Sequence, residues 1–113
     1  MKLPAADQAI IEPAKVRDYL LSPAHPIGRA KAHFFRALGF TQDGWSQLQD
    51  ALLALARTGD AVLGERNAFG QKYVVRGILR GPSGRIAETV TVWIVLEAEA
   101  VPRFVTAYPG AKP

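Results

Sequence analysis

The sequence predicts an α+β domain in which N-terminal helices pack on one face of a four-stranded antiparallel sheet. In residues 13–58, apolar side chains recur at the i, i+3, i+4 spacing of a half-buried helix. From residue 61 onward the apolar period changes to two, which is the period of a strand. The connections between the strand runs are short, and short connections favour hairpins between neighbouring antiparallel strands.

Length and composition point to one domain. The chain has 113 residues, of which 49% are hydrophobic, so a substantial core is expected over about residues 3–109. The absence of cysteine excludes disulfides and cysteine-ligated zinc sites. Two histidines cannot form a histidine-rich metal site, although a mixed site with carboxylates stays formally possible. We therefore predict no metal and no cofactor.

The charge distribution is mildly basic and suits an anionic partner. The net charge is +4, and residues 61–113 contribute seven Lys/Arg against four Asp/Glu. RNA, DNA and an acidic protein all fit such a surface, as does an ordinary basic surface with no special partner. No segment approaches the roughly 20 apolar residues of a membrane helix, and no signal peptide is recognisable. A cytoplasmic protein with no membrane partner is therefore expected.

Three helices are predicted in the first half. The first spans residues 13–21 and begins at Pro13, where the missing N–H costs nothing. The second spans residues 29–38 and the third residues 44–58, with Asp43 as the N-cap of the third. Glycines at positions 39 and 59 end the second and third helices. The side chains predicted to face inward from the first helix are Val16, Tyr19 and Leu20.

The loop over residues 22–28 holds the most promising single side chain. His25 lies between Pro23 and Pro26, and a residue that precedes proline is biased toward extended backbone. An imidazole changes protonation state near neutral pH, which suits a general acid or base. Arg29 and Lys31 follow at the start of the second helix, where the helix N-terminus also favours anions.

Four strands are predicted, at residues 61–67, 71–80, 86–96 and 102–108. In the third strand the alternating aliphatic side chains (Val90, Val92, Ile94 and Leu96) are expected to face the helices. The opposite, helix-free face then gathers cations, hydroxyls and aromatic rings, which together can hold a phosphodiester. The same patch could dock a partner protein or be an ordinary solvated face. Its predicted members are Lys72, Arg76, Thr89, Thr91, Trp93, Thr106 and Tyr108.

Two stretches of the chain carry distinctive motifs, the first over the loop and second helix and the second over the strands. Their residues are His25-Pro26-x-Gly28-x-x-Lys31-Ala32-x-Phe34-Phe35, Lys72-Tyr73-Val74-Val75-x-Gly77, Thr91-Val92-Trp93 and Pro102-Arg103-Phe104-Val105-Thr106-Ala107-Tyr108-Pro109. With these motifs the chain resembles a bacterial domain family of unknown function that occurs alone and as the C-terminal tail of polymorphic toxins. The resemblance implies action in the cytoplasm of a target cell.

The layout also resembles the barnase–EndoU–colicin–RelE group of ribonucleases, in which the sheet face binds RNA. This resemblance implies metal-independent cleavage by the RNA's own 2′-hydroxyl. It implies that His25 is the general base or acid, that Lys31 and Lys72 neutralise phosphate, and that Thr91 and Thr106 orient it. Tyr108 would donate a proton or stack a base. The remaining substrate-binding candidates are Arg29, Arg76, Thr89, Trp93 and Arg103.

The sequence therefore predicts a toxin-type endoribonuclease that acts on RNA and is neutralised by a cognate immunity protein or antitoxin. The alternative is a non-catalytic module of a toxin–antitoxin or toxin–immunity pair, which would bind protein or nucleic acid through the sheet face.

Overall fold

The computed structural model describes residues 1–26 and 29–110, and its sheet confirms the predicted α+β class. Residues 27 and 28 of the predicted loop, and residues 111–113, lie outside the described part of the chain. The sheet has the order β1-β2-β3-β4, and every neighbouring pair is antiparallel. The strands are β1 (Asp60–Arg66), β2 (Gly70–Arg80), β3 (Ile86–Leu96) and β4 (Pro102–Pro109).

A single 3-10 turn (Ala6–Gln8) and three longer helices precede the sheet within the described residues. The first, α1, starts at Pro13–Lys15 and continues as a π-helical turn over Val16–Leu20, closed by a bond from the Leu21 N–H to the Val16 carbonyl. The others are α2 (Arg29–Ala37) and α3 (Trp45–Thr58). None of the described helices is both long and apolar enough to cross a membrane.

Two predictions about helix ends have different outcomes. Gly39 ends α2 as predicted, with a φ of 101° that a residue without a Cβ adopts freely. The prediction of Asp43 as the N-cap of α3 is wrong, because Gly44 takes that position and its N–H bonds to the Thr41 hydroxyl. The threonine side chain already satisfies the local donor, so Asp43 has no capping role.

The core lies between the helices and one face of the sheet. Its largest fully buried side chain is Trp93, whose ring contacts that of Phe104 edge-on at 5.3 Å. Apolar burial of this kind contributes roughly 25 cal/mol per Å², so it holds the helices on the sheet. Further buried members are Leu20, Phe35, Leu48, Leu52, Val75 and Ala107.

The predicted facing of β3 is wrong. Thr89, Thr91 and Trp93 are completely buried on the helix side, and the aliphatic side chains alternate onto the helix-free side. The pairing of Val75 with Thr91 decides this, because directly paired residues share a face. Burial of the Thr91 hydroxyl is tolerated because it donates to the Val75 carbonyl and accepts from the Trp93 indole N–H.

The last strand has an irregular register. The pairing shifts between Val92 and Trp93, so that Phe104 and Ala107 both lie buried on the helix side. Strict alternation would place these two residues on opposite faces, and the extra residue in β4 explains why they share one. Tyr108 pairs with Val90 on the helix-free face, as predicted for the tyrosine.

Candidate functional site

An open cleft of about 560 Å³ lies between the N-terminal helical region and the edge strand β4. The π-helical turn of α1 provides Tyr19, the first turn of α2 provides Lys31, and β4 provides Val105 and Thr106. The remaining lining residues are Glu12, Ala14 and Lys15 at the start of α1. The N-terminal segment that leads into α1 is attached to the sheet, because Ile10 forms a β-bridge with Arg103 in β4.

Tyr19 is the centre of a hydrogen-bonded chain in this cleft. The Lys31 ammonium donates to the Tyr19 hydroxyl oxygen at 2.7 Å. The Tyr19 hydroxyl also lies 3.4 Å from the Thr106 hydroxyl, on the opposite wall. An ammonium group has donors and no acceptor, so the Tyr19 oxygen is the acceptor from Lys31. The chain therefore ties α1 to both α2 and β4.

The surroundings of Tyr19 lower its pKa below the ordinary value. Burial is the largest single influence and raises the pKa. It is outweighed by the hydrogen bonds from Lys31 and Thr106, together with the positive charges of Lys31 and Lys15. Each of these interactions is stronger with a phenolate than with a neutral phenol. The phenolate of Tyr19 therefore forms more readily here than that of an isolated tyrosine.

His25 lies against the same tyrosine. Its ring meets the Tyr19 ring edge-on, with 5.1 Å between the ring centroids. The His25 N–H donates to the Ser22 carbonyl, and the His25 carbonyl accepts from the Arg29 N–H. The loop thus places an imidazole beside the cleft at the entrance to α2.

Two cations and one carboxylate complete the electrostatics. The Lys15 ammonium donates to the Val105 carbonyl at 3.3 Å, which holds it over the β4 wall. The Lys31 ammonium lies 5.1 Å from the centroid of the Tyr19 ring, within the range of a cation–π contact. Glu12 is exposed at the rim. The cleft therefore combines two ammonium groups and two hydroxyls with an imidazole beside it, a set that can bind a phosphate and move protons.

Three of the predicted site residues come together here, namely His25, Lys31 and Thr106. The burial of Thr89, Thr91 and Trp93 removes these three from any surface that a ligand can reach in this structure. Their predicted place on the helix-free face depended on the inverted facing of β3.

The other predicted residues are dispersed. Lys72, Arg76 and Tyr108 lie on the helix-free face, where the Lys72 ammonium is 3.6 Å from Glu65. Arg103 is held by Glu99 at 2.7 Å, and this bond lowers the pKa of the Glu99 carboxyl. The remaining candidate, Arg29, lines a separate concavity on α2.

Tyr19 and Lys15 were missed as site residues. Tyr19 was interpreted as a core residue because it follows the apolar spacing of α1. Its hydroxyl was the available signal, since a half-buried tyrosine requires a polar partner and so indicates other polar groups nearby. Among the residues that the structure describes, no three His, Asp or Glu side chains are grouped to hold a metal ion.

Comparisons with known proteins give a family and a fold. A family model described as "Domain of unknown function (DUF6883)" matches residues 2–111. A search of curated proteins finds no match. A chain of the contact-dependent growth inhibition toxin–immunity protein complex from Klebsiella pneumoniae 342 aligns with a TM-score of 0.71 at 20% identity. The alignment covers 95% of the present chain and 97% of the other, so the two chains share a fold.

Proposed function

The chain belongs to the DUF6883 family, and we propose that it is a toxin-type, metal-independent endoribonuclease whose active site is the cleft around Tyr19. The observation that carries the proposal is the hydrogen-bonded chain Lys31–Tyr19–Thr106, which opens to solvent beside His25. The fold shared with a chain of a growth inhibition toxin–immunity protein complex supports a toxin-related role.

The groups in the cleft match the needs of RNA transesterification. That reaction requires a base for the 2′-hydroxyl, an acid for the departing 5′ oxygen, and cations beside the phosphate as its negative charge grows. His25 can serve in proton transfer, Lys15 and Lys31 supply the cations, and Thr106 can orient a phosphate oxygen. Cleavage inside the cytoplasm of a target cell, with a cognate immunity protein or antitoxin as the inhibitor, completes the proposed role.

The proposal moves the predicted site from the helix-free sheet face to the cleft. On the sheet face, Lys72 and Arg76 lie among aliphatic side chains, and the buried threonines and tryptophan are out of reach. In the cleft, cations and proton-transfer groups lie within a few ångströms of one another, which is the arrangement that a reaction at one phosphate requires.

The test is RNA cleavage in EDTA. Purified protein, freed of any inhibitor, is incubated with total RNA beside the His25→Ala variant and the matched control His33→Ala, whose histidine is exposed on α2 outside the cleft. We expect cleavage by the wild type and by His33→Ala, with a loss of about 10²–10⁴-fold in His25→Ala. A folded wild-type protein that leaves all RNA intact would contradict the proposed activity.

A second candidate function is supported by the helix-free face of the sheet. Valines 62, 74 and 92 form a row across three strands, and Val62, Ile78 and Ile86 are each more than half exposed. Exposed apolar surface on this scale is typical of protein-binding faces. A non-catalytic binding module would use this face.

Expression of the chain without an inhibitor separates the two candidates: a ribonuclease arrests growth and His25→Ala relieves the arrest, whereas a binding module is tolerated with or without His25.

A further inference from the structure

We propose that Tyr19 is the general base of the reaction, that Lys31 positions and activates it, and that His25 is thereby left to act as the general acid. This inference rests on the proposed ribonuclease function and assigns the proton transfers within it. It stands on the arrangement of side chains from three elements around Tyr19: Lys31 and Thr106 lie at its hydroxyl, and His25 lies against its ring.

The hydrogen bonds at the Tyr19 oxygen suit it to act as a base. Lys31 donates to it at 2.7 Å, and the Thr106 hydroxyl lies at 3.4 Å on the other wall. Both contacts stabilise a negative charge on the oxygen, because an ammonium can only donate and a hydroxyl can donate. The oxygen also lies in the open cleft, where a ribose hydroxyl can approach it.

The contact with His25 has a different geometry. The imidazole meets the Tyr19 ring edge-on at 5.1 Å between centroids, so it packs on the carbon face or edge of the phenol. This contact sets the orientation of both rings and places the imidazole next to the phenol. An acid and a base in such neighbouring positions can serve the two ends of one phosphodiester bond.

The step is balanced without a co-reactant. The Tyr19 phenolate removes the proton of the 2′-hydroxyl, and the 2′ oxygen forms a bond to phosphorus. The bond from phosphorus to the 5′ oxygen breaks, and the protonated imidazole of His25 gives its proton to that oxygen. The products are a 2′,3′-cyclic phosphate and a 5′-hydroxyl, with tyrosine neutral and histidine deprotonated until solvent restores both.

The charged and titratable groups that face Tyr19 come from all the packed elements. Glu12 and Lys15 precede it on the α1 side, Lys31 comes from α2, and His25 comes from the intervening loop. The β4 wall contributes Val105 and Thr106, which carry no charge. Lys31 is the group whose removal should change the protonation of Tyr19 most, because it alone combines a 2.7 Å bond with a full charge.

The experiment measures cleavage of one RNA oligonucleotide against pH in EDTA for the wild type, Tyr19→Phe and the control Tyr73→Phe. Tyr73 is a half-buried tyrosine of β2 outside the cleft. We expect Tyr19→Phe to reduce cleavage by about 10²–10⁴-fold, with retained circular dichroism and without the rise in rate that follows phenol ionisation. Tyr73→Phe should keep the wild-type rate and profile.

A spectroscopic titration gives a readout independent of turnover. Tyrosinate absorbance against pH should show one tyrosine of the wild type titrating below the ordinary range, and this transition should be absent in Tyr19→Phe. In Lys31→Met the same transition should move to higher pH. Wild-type cleavage and an unchanged profile in Tyr19→Phe would overturn the role of Tyr19 and leave the proposed function standing. A wild type that cleaves no RNA would overturn both.

Discussion

At the scale of single residues, the buried pair of Thr91 and Trp93 is the clearest case of a side-chain contact that stabilises the core. The Trp93 indole N–H donates to the Thr91 hydroxyl at 2.8 Å, and that hydroxyl donates to the Val75 carbonyl at 2.9 Å. Both side chains are completely buried, so water cannot replace either bond. The pair therefore fixes the tryptophan rotamer at the centre of the core.

We predict that Thr91→Val lowers the free energy of unfolding by about 1–3 kcal/mol, because it leaves the Trp93 N–H buried without a partner. The matched control is Thr89→Val, which removes an equally buried hydroxyl that donates to the Ala87 carbonyl at 3.3 Å. Its loss should stay within about 1 kcal/mol, because no donor is left unpaired. Urea unfolding measures both, and equal stability of Thr91→Val and the wild type would contradict the prediction.

The candidate site residues that could be predicted from sequence are those whose chemistry is visible without the fold. His25 was identifiable from its type and its flanking prolines, and Lys31 from its place at a helix start. Tyr19 was not recognised because it follows the apolar spacing of α1. A tyrosine whose ring packs against the core has this spacing even when its hydroxyl lies in a cleft. Lys15 could not be distinguished from a surface lysine, because only the fold brings it to Val105, ninety residues away.

At the scale of elements, the turn between β2 and β3 is locked onto the end of α2. The Ser83 N–H and hydroxyl both donate to the Leu38 carbonyl, at 3.1 and 2.8 Å. Gly39 has a φ of 101°, and a Cβ placed there would lie 2.6 Å from the Ser83 nitrogen. Gly84, in the same turn, has a φ of 87° but open space around it. Both positions therefore have the positive φ that strains a residue with a Cβ, but only at Gly39 would that Cβ also meet a neighbouring residue.

We predict that Gly84→Ala costs about 1–2 kcal/mol, the strain of a left-handed backbone with a Cβ. Gly39→Ala should cost a further 1–3 kcal/mol or so, because the methyl group also pushes the turn away from α2. The measurement is thermal or urea unfolding of both variants beside the wild type. A loss in Gly39→Ala no larger than that in Gly84→Ala would show that the turn is not held against the helix.

The facing of β3 was predictable from its connection, although its composition indicated the opposite. The turn pairs Arg80 with Ile86, and this register carries Val75 opposite Thr91. Once Val75 is placed on the helix side, where it is completely buried, the alternation of β3 follows. The hydropathy of β3 was misleading because its alternating aliphatic side chains lie on the helix-free face, where Val90 is buried and the others are half-buried. The shift in β4 had no comparable signal, so Phe104 could not be placed from sequence.

At the scale of the whole molecule, two surfaces are candidates for binding a ligand. The cleft side holds Lys15 and Lys31, whereas the helix-free sheet face holds Lys72 and Arg76 among aliphatic side chains. The net charge of +4 attracts an anion to both, so charge in sum does not distinguish them. The number of phosphates that each face neutralises does distinguish them.

If the chain acts on RNA as proposed, the salt dependence of RNA binding shows which of the two surfaces the RNA contacts. A single-stranded 2′-O-methyl RNA lacks the attacking hydroxyl and reports binding alone. For single strands, the logarithm of the binding constant falls against the logarithm of salt concentration with a slope of about −0.7 per neutralised phosphate.

We predict that Lys15→Gln and Lys31→Gln each reduce the magnitude of this slope by about 0.7, because each removes one cation of the cleft. Lys72→Gln, the matched control on the sheet face, should leave it unchanged. The reverse pattern would place the RNA on the sheet face and remove the cleft from substrate binding, since a cation outside the contact surface releases no counterions on binding.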